Sequence, residues 1–306
     1  MPRPAALAFL AMLALPCAGR AQERIVERSE FYLGFNALVG GGAAAVHALL
    51  GPDDVPVLRA FAKGALGGAV MYGGQRLVGS GREELRLPGV QAVALGASMA
   101  RNAGAGTPLF STLTFPVYPF YVQVRPGASR PFALRVSAAA AASLASAVFR
   151  NDAFDASLDW RASLLAGAPV FRSAASWIYP FADAPSPGCL HGDGCDGGAA
   201  GLHRVGTTWY TTGGRSPAQS AHILTHETIH LTQVVRDALL FGIPASDALT
   251  RRAGGAVERI GRFLVFDGFL PLTAVNHGLS LGLPRTGDGH AWRFYEFEAH
   301  AFNDGR

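Results

Sequence analysis

The twenty residues from Phe31 to Leu50 carry no charge, and this stretch narrows the possible folds more than any other feature. As a helix rising ~1.5 Å per residue it would be ~30 Å long, the thickness of a bilayer's hydrocarbon core. Such a segment crosses a membrane or sits in a protein interior. Asn36, His47 and the triplet Gly40-Gly41-Gly42 interrupt it, and glycine weakens an isolated helix. Leu58 to Val78 follows, with Arg59, Lys63 and Arg76 and with Gly64 and Gly68 four apart. That small-residue spacing lets helices approach closely, in lipid or in a tight soluble pair. Residues 31–78 are the candidate membrane-association region within a Gly/Ala-rich helical part spanning 22–106.

The chain has 306 residues, 49% hydrophobic and only 16% charged, which excludes global disorder. The net charge of +4 comes from scattered arginines and a single lysine, Lys63, set against 22 acids. No clustered basic face with interleaved aromatics is present, so a nucleic-acid partner is not expected.

Met1 to Ala21 reads as a signal peptide: Arg3, an apolar run from Ala5 to Leu15, then small residues at Gly19 and Ala21. Export to the periplasm or outer envelope follows. Cleavage removes Cys17 and leaves Cys189 and Cys195, within a Cys/Gly/Pro loop over 182–203. An exported chain with two cysteines most simply forms a disulfide. A thiol metal site including His191 is the competing reading.

Between 107 and 181 the apolar period falls to two. Phe120–Val124, Phe132–Val136 and Ser157–Ala162 read as strands separated by turn clusters such as Arg125-Pro126-Gly127. An antiparallel meander is expected, and the fold class is α+β. The strands are too few to close an outer-membrane barrel of ordinary size.

The chemistry concentrates in residues 204–306. Ser216-Pro217-Ala218-Gln219 is a helix start and Gly242 with Pro244 a stop. Inside stands His226-Glu227-Thr228-Ile229-His230, an HExxH pattern. Two histidines four apart share a helix face and can grip one zinc ion, and Glu227 can serve as general base toward a metal-bound water. Gln233 and Asp237 continue the stripe and are candidates to hold a ligand imidazole from behind. A third ligand is expected from a helix within 288–303, where Glu296 and Glu298 flank Phe297. Periodicity does not choose between them. Val205 to Thr212 reads as a strand just before the HExxH helix.

His226-Glu227-Thr228-Ile229-His230 followed by Glu296-Phe297-Glu298-Ala299-His300 resembles the gluzincin layout of zinc metallopeptidases. The similarity is closest to the HtpX and CAAX-prenyl-protease type, whose second helix reads E-x-x-A-D. The resemblance implies Glu296 as the third ligand, with Glu298 the alternative, and Glu227 as the base. It places His300 where the family has an aspartate supporting a ligand histidine. It also permits the strand at 205–212 to be a sheet edge on which a peptide substrate pairs. The function expected is thus zinc-dependent peptide hydrolysis in the envelope. The alternative is a non-catalytic, membrane-associated envelope protein whose zinc only braces the fold. Nothing in the sequence sets the oligomeric state.

Overall fold

The computed structural model describes residues 28–51, 54–117, 120–138, 156–167, 170–173, 201–204, 207–211, 217–255, 258, 260, 263–265 and 294–303. The signal segment 1–21 and the Cys189/Cys195 pair lie outside the described residues.

The chain is helix-rich with small mixed sheets, a general α+β fold. Three long helices come first: α1 (Phe31–Leu50), α2 (Val57–Gly79) and α3 (Glu83–Gly104). What joins them is the absence of side chains. A Cβ added to Gly74 would meet the carbonyl oxygen of Gly89 at 2.6 Å, and one at Gly89 would meet that of Gly74 at 2.6 Å. Seven residues along each helix, Gly67 and Gly96 make the same mutual contact. α2 and α3 thus touch backbone to backbone at two levels. α1 meets α2 in the same manner, Gly68 lying against the backbone of Asn36 and Gly64 against Gly40.

Three strands follow: β1 (Leu113–Val117), β2 (Phe120–Val124) and β3 (Phe132–Ser137). They form an antiparallel meander with Phe115 opposite Val122 and Val122 opposite Leu134. The β2–β3 turn is of type II character: Pro126 precedes Gly127 at φ 80°, and the Ala128 amide donates to the Arg125 carbonyl at 3.2 Å. Polar groups of α3 hold the sheet. Ser98 Oγ accepts from the Thr114 amide at 3.0 Å, and Asn102 Nδ2 donates to the carbonyls of Leu109 (2.7 Å) and Thr112 (2.9 Å).

β4 (Ala156–Leu158) is shorter than the strand expected over Ser157–Ala162. Asp159 ends it by accepting from the Ala162 amide at 3.0 Å, capping helix α4 (Trp160–Ala166). Next come β5 (Val170–Ser173), β6 (Gly201–Arg204) and β7 (Thr207–Thr211). Their sheet runs β4-β5-β7-β6. β7, which could be a substrate-pairing edge or an ordinary core strand, is internal: β5 lies parallel on one side and β6 antiparallel on the other. Its ladder is occupied on both sides.

Helix α5 (Pro217–Asp237) carries the HExxH segment. Gly242 and Pro244 do not stop the helical path as expected. The chain passes through a π-helical turn, Ala238–Gly242, in which the Ile243 amide bonds the Ala238 carbonyl, and continues as α6 (Ile243–Ala253). Proline in a helix's first turn removes no needed donor. β8 (Leu264–Val265) adds parallel to β3, and α7 (Phe294–Asn303) ends the fold. One buried cluster joins the two ends of the chain, with Tyr32, Met71, Val90 and Val93 beside Ile229, Leu239, Ala299 and Phe302.

Candidate functional site

The residues that α5 turns toward the bundle are mostly polar. Thr232, Gln233 and Arg236 follow Ile229 at helical spacing, and all four are buried. Opposite them α7 presents Glu298, α2 presents Gln75 and α1 presents Asn36, each 0% exposed. A polar side chain in such a setting must find partners, and these find one another.

Arg236 is the centre. Its Nη1 donates to Glu298 Oε1 at 2.7 Å and to Asn36 Oδ1 at 3.2 Å, and its Nε donates to Asp237 Oδ1 at 3.1 Å. Phe35 lies beneath the guanidinium, 5.3 Å from the ring centre. Gln75 Nε2 donates to Glu298 Oε1 at 2.9 Å, while its Oε1 accepts from Asn36 Nδ2 at 2.8 Å. Gln233 Nε2 donates to Glu298 Oε2 at 3.0 Å. One carboxylate thus ties three helices around a single arginine. Arg86 on α3 adds a further tie, donating to the Ala221 carbonyl of α5 at 3.2 Å.

The HExxH histidines stand at the rim of this network. His230 Nδ1 lies 2.8 Å from Gln233 Oε1. Because that amide oxygen can only accept, Nδ1 carries the proton. The Nε2 atoms of His226 and His230 are 3.2 Å apart. His300, on α7 and exposed, places its ring 4.8 Å from that of His226. Glu227 is buried, at 5% exposure. His222 is on the surface, 3.1 Å from Asn303 Nδ2. Asp237, the other candidate on this stripe, accepts from Arg236 Nε at Oδ1.

These positions overturn the expectation of a zinc peptidase. Among the described residues no group of three or more His, Cys, Asp or Glu side chains could hold a metal ion. Glu298, the alternative third ligand, has both oxygens engaged, one by Gln233 and the other by a guanidinium at 2.7 Å. Glu296 belongs to α7, but its side chain lies outside the described residues. The zinc cofactor, the hydrolase assignment resting on it and the gluzincin membership therefore fall together. Helical spacing alone brings His226 and His230 side by side.

Arg236 and Gln75, which help build the site, are not singled out by the sequence, and Asn36 stands there only as a polar break in an apolar stretch. The signal available was a polar residue in an apolar helix: Asn36 within α1 and Gln75 among the glycines of α2. Set against known families, curated proteins and solved structures, the chain matches none.

Proposed function

We propose that this chain is a membrane-associated protein of the cell envelope, held at the bilayer through α1 and α2. The carrying observation is the inverted distribution of polarity. Asn36, Gln75, Arg86, Arg236, Asp237 and Glu298 are buried, while Leu33, Leu38, Leu50, Leu58, Leu66 and Leu77 of α1 and α2 are exposed. Ionisable side chains are seldom so fully buried in a protein surrounded by water. In lipid the arrangement suits α1, whose Asn36 faces the bundle interior while Leu33 and Leu38 face outward.

Two further features support the reading. α1 is long and apolar enough to cross a membrane. Glycine contacts of the α2–α3 type pack helices where water supplies no drive for association. The brace that holds α7 on the bundle is the Arg236–Glu298 pair. The expected role is structural or adaptor-like, with membrane attachment as its primary activity.

The test is flotation of the purified chain with neutral phosphatidylcholine vesicles. The wild type should rise with the lipid. Aspartate in place of an exposed leucine costs about 3 kcal/mol at depth in a bilayer. Leu38→Asp with Leu66→Asp should therefore cut the floated fraction by roughly two orders of magnitude or more. A wild-type chain that stays monodisperse in detergent-free buffer and ignores vesicles would refute the proposal.

A further inference from the structure

The inner face of the β1–β3 meander gathers positive charge. Arg135 of β3 is buried there, opposite Tyr121 of β2. Gln123, two residues along β2 and also buried, accepts from Arg125 Nη2 at 3.3 Å and donates to Thr114 Oγ1 at 3.4 Å. Gln123 thereby holds the Arg125 guanidinium on the inner side. α3 covers this face, its Ser98 and Asn102 bonding the backbone of Thr114 and Thr112. Arg101 lies three residues after Ser98, the spacing of one helix face. Asp247 of α6 completes the group, accepting from Arg135 Nη2 at 2.6 Å.

Hydrogen bonding leaves this group incomplete. The Arg135 side chain is only 8% exposed, yet its buried Nη1 has no hydrogen-bond partner among the described residues. A native fold seldom tolerates such a donor unless water or an ion satisfies it. Arg101 is partly buried, and its guanidinium makes no hydrogen bond among the described residues. Burial, opposed by the attraction of Asp247 and reinforced by repulsion from Arg135 and Arg125, pulls Arg101 down to about 10. Together these are three arginines and one acid, an excess of two positive charges. A phosphate group carries about −1.5 to −2 charge at neutral pH and three acceptor oxygens. It matches the excess and offers a separate oxygen to each arginine, Arg135 Nη1 included. A carboxylate brings one charge and two oxygens, and leaves one arginine unmatched.

We infer that Arg101, Arg125 and Arg135 form a binding site for a phosphate group beneath the meander, with Asp247 holding Arg135 in position. Free phosphate and a phosphomonoester lipid headgroup share this chemistry. The site does not depend on attachment through α1 and α2, so its loss would leave that reading standing.

The experiment follows thermal unfolding of the full chain in mild detergent at constant ionic strength. One arm titrates inorganic phosphate against chloride in the low-millimolar range, where the general stabilising effect of phosphate on proteins is small. The other adds phosphatidic acid to the micelles, with phosphatidylcholine as the control. The wild-type midpoint should rise and follow a saturating binding curve in at least one arm. A response to inorganic phosphate identifies the free anion, and a response to phosphatidic acid alone identifies a lipid headgroup. Arg135→Gln and Arg101→Met each remove charge-assisted hydrogen bonds to the ligand, so each should weaken apparent affinity roughly tenfold or more. Arg101→Met carries a second signature. The charge it removes is disfavoured where it sits, so without ligand this variant should unfold at the wild-type temperature or above. Should Arg135→Gln fail to fold, Arg101→Met decides alone. No midpoint shift in either arm means that Arg135 Nη1 meets only water, and it overturns the inference. Equal shifts in the wild type and Arg101→Met overturn it as well, because the anion then acts elsewhere. So does an Arg101→Met chain that is less stable without ligand, which would make Arg101 a structural residue.

Discussion

Arg236 and Glu298 are 1% and 0% exposed in their side chains, and their consequences for stability are unequal. Removing the arginine leaves Glu298 and Asp237 buried with their shared cation gone, so Arg236→Met should cost about 3–5 kcal/mol. Removing only the charge of the glutamate is milder. In Glu298→Gln an amide of nearly the same shape remains, and Arg236 keeps Asp237 at 3.1 Å; the cost should be about 1–3 kcal/mol. Thermal or denaturant unfolding in mild detergent would rank the two variants. A Glu298→Gln protein less stable than Arg236→Met would contradict this electrostatic account. The sequence displays His226, His230 and Gln233 openly, because a helix brings positions three and four apart together. It does not display Arg236 as an interior residue. A basic group in a helix's last turn ordinarily faces water and the helix dipole, whereas this one turns inward to the carboxylate on α7, 62 residues later, and to Asn36 on α1.

At the scale of elements the glycines divide into two kinds that composition cannot separate. Gly74 sits where a Cβ would meet Gly89 O at 2.6 Å and the amide of Val93 at 2.7 Å, whereas its neighbour Gly73 has nothing within 4 Å. Alanine at Gly73 should therefore stabilise α2 by about 0.5–1 kcal/mol, through the reduced freedom of the unfolded chain and better helix propensity. Alanine at Gly74 must push two helix backbones apart and should cost about 1–3 kcal/mol. Unfolding midpoints for the two single variants measure this directly, and shifts of the same sign would exclude the close α2–α3 contact. Glycine-rich helices and their Gly64/Gly68 spacing are visible in the sequence, as are the strands at Phe120–Val124 and Phe132–Val136. The pairing of Gly67 and Gly74 with Gly96 and Gly89 is not, because it depends on which helix turns back against which. The π-helical turn is hidden for a related reason. Gly242 and Pro244 carry the ordinary stop signal, and packing around the buried Leu239, Leu240 and Ile243 carries the chain past it.

For the molecule as a whole, the informative feature is that the described residues of the first hundred and of the last ninety share one interior. In sequence a Gly/Ala-rich region and the region of the HExxH pattern differ in composition, and nothing local links them. α5 and α7 make the link, α5 through Arg236 to Asn36 and α7 through Phe302 and Glu298. Phe302 lies with its ring centre 5.6 Å from that of Tyr32 on α1 and 5.7 Å from that of Tyr72 on α2. One turn earlier on the same helix, Glu298 binds Gln75 of α2 and Arg236 of α5. A helix gripping both ends of the chain through an aromatic contact and an ion pair should make their opening cooperative. Phe302→Ala removes a ring that is 5% exposed, at a cost of about 3–5 kcal/mol. If the interior is common, that loss appears in α1, α2 and α5 together. Amide hydrogen exchange in the cores of all three helices should accelerate by the same factor, on the order of a hundredfold or more. If the two ends were separate bodies leaning on each other, α5 would exchange faster while α1 and α2 kept their wild-type rates. That split would disprove a shared core, and with it the view that Arg236 and Glu298 brace the whole bundle rather than its last helix.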